Sequence, residues 1–295
     1  MKQDMLRAPI HWVGGKGQMI KKLMHHVPLG GNPYCEPFMG AASLFFARPP
    51  APIEVLNDTD DDIVNLFRCL QDKEIFEELT HKLRYTLYAK AEFAEAIEIL
   101  KNNTEDEIKR AWAFFVLLNQ GFGGDKTRKN IGSWGRVFVS RGGCSCNTNS
   151  WIMRLTMLED WHKRLLMAQI DNRDALEIIQ YWDTDATVFY IDPPYIHETR
   201  KSKNVYNQEL NNDYHKNLFK IILDCKGAVV LSGYEHEIYQ PLIETGWNCT
   251  KYHTVCRVAG RVRNSKLQGK NSAMQHVPRT ECVYSNPKAI HLMQI

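Results

Sequence analysis

Thr187-Val188-Phe189-Tyr190-Ile191-Asp192-Pro193-Pro194-Tyr195 is the stretch that decides the architecture. Its first five residues are β-branched and aromatic, the composition of a short buried strand. Two successive prolines then fix the backbone and remove two N–H donors. Ligands of open α/β sheets bind beyond the carboxyl ends of the strands, so the tetrapeptide after Ile191 stands where chemistry is expected. The Asp192 carboxylate and the Pro193 carbonyl can face one amino group as acceptors, with Pro194 holding the turn and Tyr195 offering a flat face to a planar ring. An amino nitrogen on a heteroaromatic ring is a poor nucleophile because its lone pair is delocalised. Two acceptors gripping its hydrogens favour a pyramidal nitrogen and stabilise the positive charge that develops as it attacks. The plainer alternative is a Pro-Pro turn with an incidental acid.

Working outward, apolar runs at 33–36, 53–56, 228–231 and 282–284 read as further strands, and the patterns at 18–26, 60–70 and 214–223 as helices. Strands alternating with helices predict an α/β domain with a mostly parallel sheet. The middle of the chain differs. Helical periodicity covers 75–83, 90–100, 105–118 and 151–165, and a loop rich in Gly, Asn and Arg spans 119–150. A loop of that length is functional or disordered. The expected organisation is a catalytic α/β domain over 1–72 and 164–295, interrupted by a helical insertion over 73–163.

Two smaller motifs lie at expected strand ends. Glu36-Pro37-Phe38-Met39-Gly40 ends the first strand with a tight turn, where Gly40 permits close backbone approach to a ligand. Asn57-Asp58 ends the second, and an acid there suits the two hydroxyls of a ribose. Asp58 or Asp60 serves equally well as the cap of the following helix. Upstream, Gly14-Gly15-Lys16-Gly17 suggests a phosphate loop, but the spacing of one is absent.

Taken together, these motifs resemble the Dam-type, D12-class family of DNA adenine methyltransferases, over nearly the whole chain and most closely in the first 70 residues and from 170 to 200. The segment 10–16 is similar to that family's opening W-x-G-G-K motif. Glu36 to Gly40 is similar to its E-P-F-x-G loop, although Ala41, Ala42 and Ser43 stand where further glycines are common. Asp171-Asn172-Arg173-Asp174 resembles N-x-D-[FY], with Ala175 in place of the aromatic residue. Leu231-Ser232-Gly233-Tyr234 resembles a strand-end S-N-Y segment, and 280–286 its closing strand.

The resemblance implies a Rossmann-like S-adenosylmethionine-dependent methyltransferase sheet carrying a helical target-recognition insertion. It implies catalysis by Asp192, Pro193, Pro194 and Tyr195, and cofactor binding by Trp12, Lys16, Phe38, Gly40, Asp58, Asp174 and Asp192. The implied reaction is site-specific methylation of the N6 amino group of adenine in double-stranded DNA, by base flipping and direct displacement. Within the insertion, the segment 119–124 and the basic residues after it resemble the recognition loop. That assigns DNA contacts to Asn119, Phe122, Lys126, Arg128, Lys129, Arg136 and Arg141. Phe122 or Trp134 either wedges into the gap left by a flipped base or packs in the helical unit. Methylation of another amino group, and DNA binding without catalysis, remain the competing functions.

Bulk properties are those of an ordinary globular chain, with 44% hydrophobic and 24% charged residues. The net charge is only +3, yet residues 251 to 295 hold eight Lys/Arg against one acid, Glu281. The stretch 125–141 holds five against Asp125, whereas 54–62 is acidic, which together suggest a polyanion surface apart from a site for something else. Scattered spacing of the eight cysteines argues against a disulfide framework and against a metal site. The absence of a secretory pattern or a long apolar run predicts a cytoplasmic protein with no membrane segment.

Overall fold

A computed structural model of the chain describes residues 5–12, 15–122, 133–136, 140–141, 144–194, 212–256 and 277–294. The first third comprises α1 (Ile20–Leu23), β1 (Tyr34–Glu36), α2 (Ser43–Ala47), β2 (Glu54–Asn57) and α3 (Asp61–Gln71). Helices α4 (Lys73–Arg84), α5 (Lys90–Lys101) and α6 (Glu107–Gln120) follow. Next come the two-residue strands β3 (Gly121–Phe122), β4 (Ser133–Trp134), β5 (Ser140–Arg141) and β6 (Cys144–Ser145), then α7 (Cys146–Leu155) and α8 (Leu158–Leu165). The chain returns to the sheet through β7 (Ala168–Asp171), α9 (Ala175–Trp182), β8 (Val188–Ile191), α10 (Asn212–Leu223) and β9 (Ala228–Tyr234). It closes with α11 (Gln240–Glu244), β10 (Asn248–Cys256), β11 (Val277–Ser285) and α12 (Pro287–Leu292).

Seven strands form one mixed α/β sheet in the order β10-β11-β9-β8-β1-β2-β7. The five from β9 to β7 are parallel, and β11 runs antiparallel to both of its neighbours. From β1 the chain moves to one side through β2 and β7, then crosses to the other side through β8 and β9. The switch point therefore lies between β1 and β8, and the crevice beyond their carboxyl ends is the expected ligand site.

Every residue of β1, β2 and β8 is buried, as parallel strands covered on both faces require. Because side chains alternate, the sheet feeds two cores. Tyr34, Leu56, Val188, Tyr190 and Val230 face one. Cys35, Val55, Phe189, Ile191 and Leu231 face the other, where Ile178, Ile179, Leu218, Phe219 and Ile222 of α9 and α10 cover them. The first core continues without a break into the helical stretch through Phe76, Leu79, Phe93, Trp112, Phe115, Trp151 and Trp161. Those helices are thus built onto the sheet and have no separate core. Glu54 of β2, fully buried, receives both Arg48 and Arg164, with Arg164 Nη2 at 2.7 Å from Oε1. Losing one arginine would leave a buried charge poorly compensated.

The structure departs from the sequence-based expectation in several places. The helix expected over 151–165 is two helices, divided at Thr156 and Met157. Part of the expected loop belongs to α7, which starts at Cys146 because the Ser145 hydroxyl accepts from Thr148 N–H at 3.1 Å. β7 and β10 were not expected as strands. The first is four residues with a buried, then partly exposed pattern, and the second is a sheet-edge strand whose Asn248, Lys251 and His253 dilute the apolar signal. Among the described residues, no helix is long and apolar enough to cross a membrane.

Candidate active site

Asp192 emerges at the carboxyl end of β8, beside the switch point. Its Oδ1 accepts from Lys16 Nζ at 2.8 Å and from Ser232 Oγ at 2.8 Å. Ser232 has a single proton to give, so the Tyr190 hydroxyl donates to Ser232 Oγ, at 3.1 Å. A buried relay therefore runs from Tyr190 through Ser232 to the carboxylate, and burial together with the Asp192 charge holds the Tyr190 hydroxyl well above its ordinary pKa. Both anchoring bonds fall on Oδ1. Among the described residues no bond to Oδ2 is seen, so the protein fixes the carboxylate through Oδ1. Pro193 is buried and Pro194 half-buried beside it. Tyr195 lies outside the described residues.

Lys16 is only 6% exposed, although lysine is rarely buried without a partner. Just before it, the Gly15 N–H donates to the Trp12 carbonyl at 3.1 Å. The Trp12 indole stands over the loop after β1. Gly40 there has φ +46°, and a Cβ added to it would lie 2.9 Å from Trp12 Cδ1. The Gly40 position thus needs glycine for both its backbone conformation and its contact with the ring. Phe38 is half-buried in the same loop, against the second core.

Asp58 accepts the Gly40 N–H at 2.9 Å through Oδ2 and the Asp60 N–H at 2.9 Å through Oδ1. The helix cap falls to Asp60, whose Oδ1 takes the Asp62 N–H at 3.0 Å. Of the two roles open in the sequence, capping thus belongs to Asp60, and Asp58 closes the Gly40 turn. Burial pushes the Asp58 carboxyl up to about 6, against the pull of the Asp60 and Gly40 N–H groups. Neighbouring Asn57 was not singled out in the sequence, yet it is fully buried and bonds two distant loops. Its Nδ2 donates to the carbonyls of Pro37 at 2.9 Å and Arg173 at 3.0 Å, and its Oδ1 accepts the Arg173 N–H at 2.9 Å. Asn172 Nδ2 adds a bond to the Asp58 carbonyl at 2.8 Å. The loops after β1, β2 and β7 are thereby one unit.

Asp174 caps α9, accepting the Leu176 N–H at 2.8 Å, and the Tyr214 hydroxyl approaches both of its oxygens at 3.2 Å. Glu36 lies beneath the cleft at the end of β1, where it receives the Tyr34 hydroxyl at 2.7 Å and the Phe45 N–H. Burial raises its carboxyl to about 7. Nothing local in the sequence distinguishes Asn57, Tyr190, Tyr214 or Glu36 for these roles, because each partner set is completed by the fold.

The residues expected to meet DNA are less gathered. Asn119 turns inward, its Nδ2 donating to the carbonyls of Pro9 at 3.2 Å and Phe115 at 3.0 Å. Trp134 is half-buried against Tyr88, ring centroids 5.4 Å apart. Gly135 is held by N–H donation to the Gln120 carbonyl at 2.7 Å, and Asn147 Nδ2 bonds the Gly135 carbonyl at 3.1 Å. Arg136 follows directly and is exposed. Lys126, Arg128, Lys129 and the side chains of Phe122 and Arg141 lie outside the described residues. Among the described residues the seven cysteines are free thiols, and no cluster of His, Cys, Asp or Glu is arranged to hold a metal.

A parallel sheet with an antiparallel final strand pair, an acid at the tip of β2 and an anchored Asp-Pro-Pro at the tip of β8 define an α/β methyltransferase type of protein. A family model described as D12 class N6 adenine-specific DNA methyltransferase matches residues 12–253, and the chain belongs to that family. It is 33% identical over 81 residues to a type II methyltransferase of Lactococcus lactis subsp. cremoris, covering 27% of this chain and 28% of the relative. It is 27% identical over 125 residues to a DNA adenine methylase of Escherichia coli (strain K12), covering 40% of this chain and 42% of the relative. A DNA adenine methylase of Salmonella typhi is 27% identical over 131 residues, with the same coverage. The chain thus spans less than half the length of these curated relatives.

Proposed function

We propose that this protein transfers a methyl group from S-adenosylmethionine to the N6 amino group of an adenine in double-stranded DNA. The observation that carries the reading is the Asp192 carboxylate, held through Oδ1 by Lys16 and Ser232 at the tip of β8, inside the span matched by the family model.

The residues present suit the cofactor. An acid at the tip of β2 answers a ribose diol, the Gly40 turn lets the backbone come close, and Trp12 with Phe38 supplies apolar faces. Lys16 offers a cation for the amino-acid end, and Asp174 borders the neighbouring loop. When bound, S-adenosylmethionine supplies an electrophilic methyl carbon on a sulfonium centre.

The target adenine leaves the base stack, because its amino group cannot meet the donor inside the duplex. Asp192 Oδ2 and the Pro193 carbonyl accept the two amino hydrogens, turning the nitrogen lone pair toward the methyl carbon, and Tyr195 stacks on the ring. Asp192, already oriented by two bonds, need not reorganise as positive charge grows on N6. With that donor bound, Asp192 and the Pro193 carbonyl would hold the amino nitrogen in line with the methyl carbon for direct displacement, and the amino group would release one proton to solvent. Holding both reactants in one cleft supplies much of the acceleration.

The helical stretch over 73–163 serves as the target-recognition unit, and contact with the duplex is assigned to Lys126, Arg128, Lys129, Arg136 and Arg141. Tritiated methyl transfer to duplex DNA tests the activity, and long-read sequencing of DNA from expressing cells reports the modified base and its context. Methyl incorporation confined to cytosine, to RNA or to nothing would overturn the reading.

A further inference from the structure

The segment that carries Trp12 and Lys16 into the cleft is held from the helical stretch, and by side chains gripping its backbone. Trp161 Nε1 of α8 donates to the Arg7 carbonyl at 2.6 Å. Arg154 of α7 donates through Nη1 to the carbonyls of Ala8 at 3.0 Å and Pro9 at 2.8 Å, and its Nη2 meets His11 Nε2 at 2.8 Å. Asn119 of α6 adds the Pro9 carbonyl at 3.2 Å, and Phe114 of the same helix meets the Trp12 ring at 6.2 Å between centroids. Pro9 and Ile10 are buried by these contacts. Three helices thus fix residues 7–12, and the two cleft contacts of this segment, Trp12 over Gly40 and Lys16 on Asp192, follow within four residues of that anchorage.

From this arrangement we propose that Arg154 is a positioning residue for the cofactor cleft, and that through it the helical recognition stretch and the cofactor site form one coupled unit. The physical argument is one of geometry. A guanidinium presents a rigid planar fork, and here one fork meets three acceptors, on Ala8, Pro9 and His11. Carbonyls gripped this way cannot slide, so Trp12 and Lys16 are delivered in register before a ligand arrives. Binding then requires less ordering. Because the same helices also face the duplex in the proposed function, any shift of α7 on DNA binding moves the Trp12–Lys16 segment. Linkage makes this effect reciprocal between the two ligands.

The proposal rests on the methyltransferase reading, and the test separates the two. Wild-type protein, Arg154→Met, Arg154→Lys and Trp161→Phe are compared by calorimetric titration with S-adenosylhomocysteine, with and without duplex DNA, and by thermal unfolding. Steady-state kinetics give KM for S-adenosylmethionine and kcat. Loss of charged-group hydrogen bonds predicts that Arg154→Met weakens S-adenosylhomocysteine about tenfold. KM should rise in step, kcat at saturation should fall by a smaller factor than KM rises because Lys16 also orients Asp192, and the change that duplex DNA makes in cofactor affinity should shrink. Arg154→Lys, which retains the charge and one donor nitrogen but not the fork, should recover part of the loss. Trp161→Phe keeps the ring and removes only the donor to Arg7, so it gives a smaller change in the same direction and serves if Arg154→Met does not fold. Failure of the wild type to bind S-adenosylhomocysteine would sink the functional reading and this one together. Normal binding by the wild type and equally tight binding by the variants would overturn this proposal alone. So would a fall in stability with unchanged KM and no recovery in Arg154→Lys.

Discussion

Lys16 Nζ lies 2.8 Å from Asp192 Oδ1, joining residues 176 apart in the sequence at the mouth of the β1–β8 crevice. The pair, with Ser232 on the same oxygen, sets the direction in which Oδ2 points. Asp192→Ala should therefore reduce methyl transfer by about 10²-fold or more, the scale seen when one preorganised polar partner of a transition state is removed. Cofactor affinity should stay within a few-fold. Lys16→Met and Ser232→Ala should each lower kcat less. Combined with Asp192→Ala, neither should cost anything further, because residues acting as one unit are not additive. Single-turnover rates on a duplex substrate check this, and near-normal turnover in Asp192→Ala would end the assignment.

Asp58 and Asp60 make separable predictions. Asp58→Ala removes a carboxylate proposed to take a ribose diol and should weaken cofactor binding by roughly tenfold to a hundredfold. The Asp60→Ala variant should instead cost about 1 kcal/mol of stability, because Asp60 is the residue that caps α3. Burial raises the Asp58 carboxyl to about 6, so the unliganded protein holds its proton below that pH. Cofactor affinity should accordingly fall as pH drops through 6, a trend absent from Asp58→Asn. Calorimetry between pH 5 and 8 resolves all three.

The strands around β8 were legible because they are short, apolar and closed by unmistakable breakers, as Ile191 before Asp-Pro-Pro shows. Asp192, Lys16 and Asp58 were legible as residues for the same reason, since each sits in a compact motif. What holds them was not. Asn57 reads as a polar strand end, and only the fold brings Pro37 and Arg173 to it, 20 and 116 residues away. Ser232 stood in a recognised stretch without a role until Asp192 arrived beside it. β10 was missed because an edge strand needs only one apolar face, and the inward bond of Asn119 to the Pro9 carbonyl was not legible because the two lie 110 residues apart.

Glu36 gives a pH-dependent stability with a definite sign. Its carboxyl rises from 4.5 to about 7, chiefly through burial. Between those values the folded protein holds a proton that the unfolded chain has released, so stability falls as pH rises through the window. The penalty is absent below about pH 4.5 and complete above about 7. Glu36→Gln removes the charge that burial opposes, so its stability relative to the wild type should improve with rising pH, by up to about 3 kcal/mol at pH 8. Urea unfolding at pH 5 and pH 8 measures this, and an unchanged difference between the two would contradict it.

The basic segment from Lys126 to Arg141 can be assigned by salt. Arg136 is exposed and follows Gly135, which Gln120, Tyr88 and Asn147 hold against the end of α6. A side chain on so firmly held a backbone is suited to reading a base, and the guanidinium fork matches a guanine edge. Arg136→Ala should then cost roughly 1–3 kcal/mol on the cognate duplex and little on a scrambled one. If Lys126, Arg128 and Lys129 meet phosphates, each alanine substitution should weaken both duplexes alike. Each should also flatten the slope of log K against log salt by about one unit. Binding isotherms at four salt concentrations, on both duplexes, distinguish these outcomes. Should all four changes leave both duplexes unaffected, the eight basic residues from Lys251 onward become the better candidates for the DNA surface, and alanine substitutions among them should then carry the salt slope.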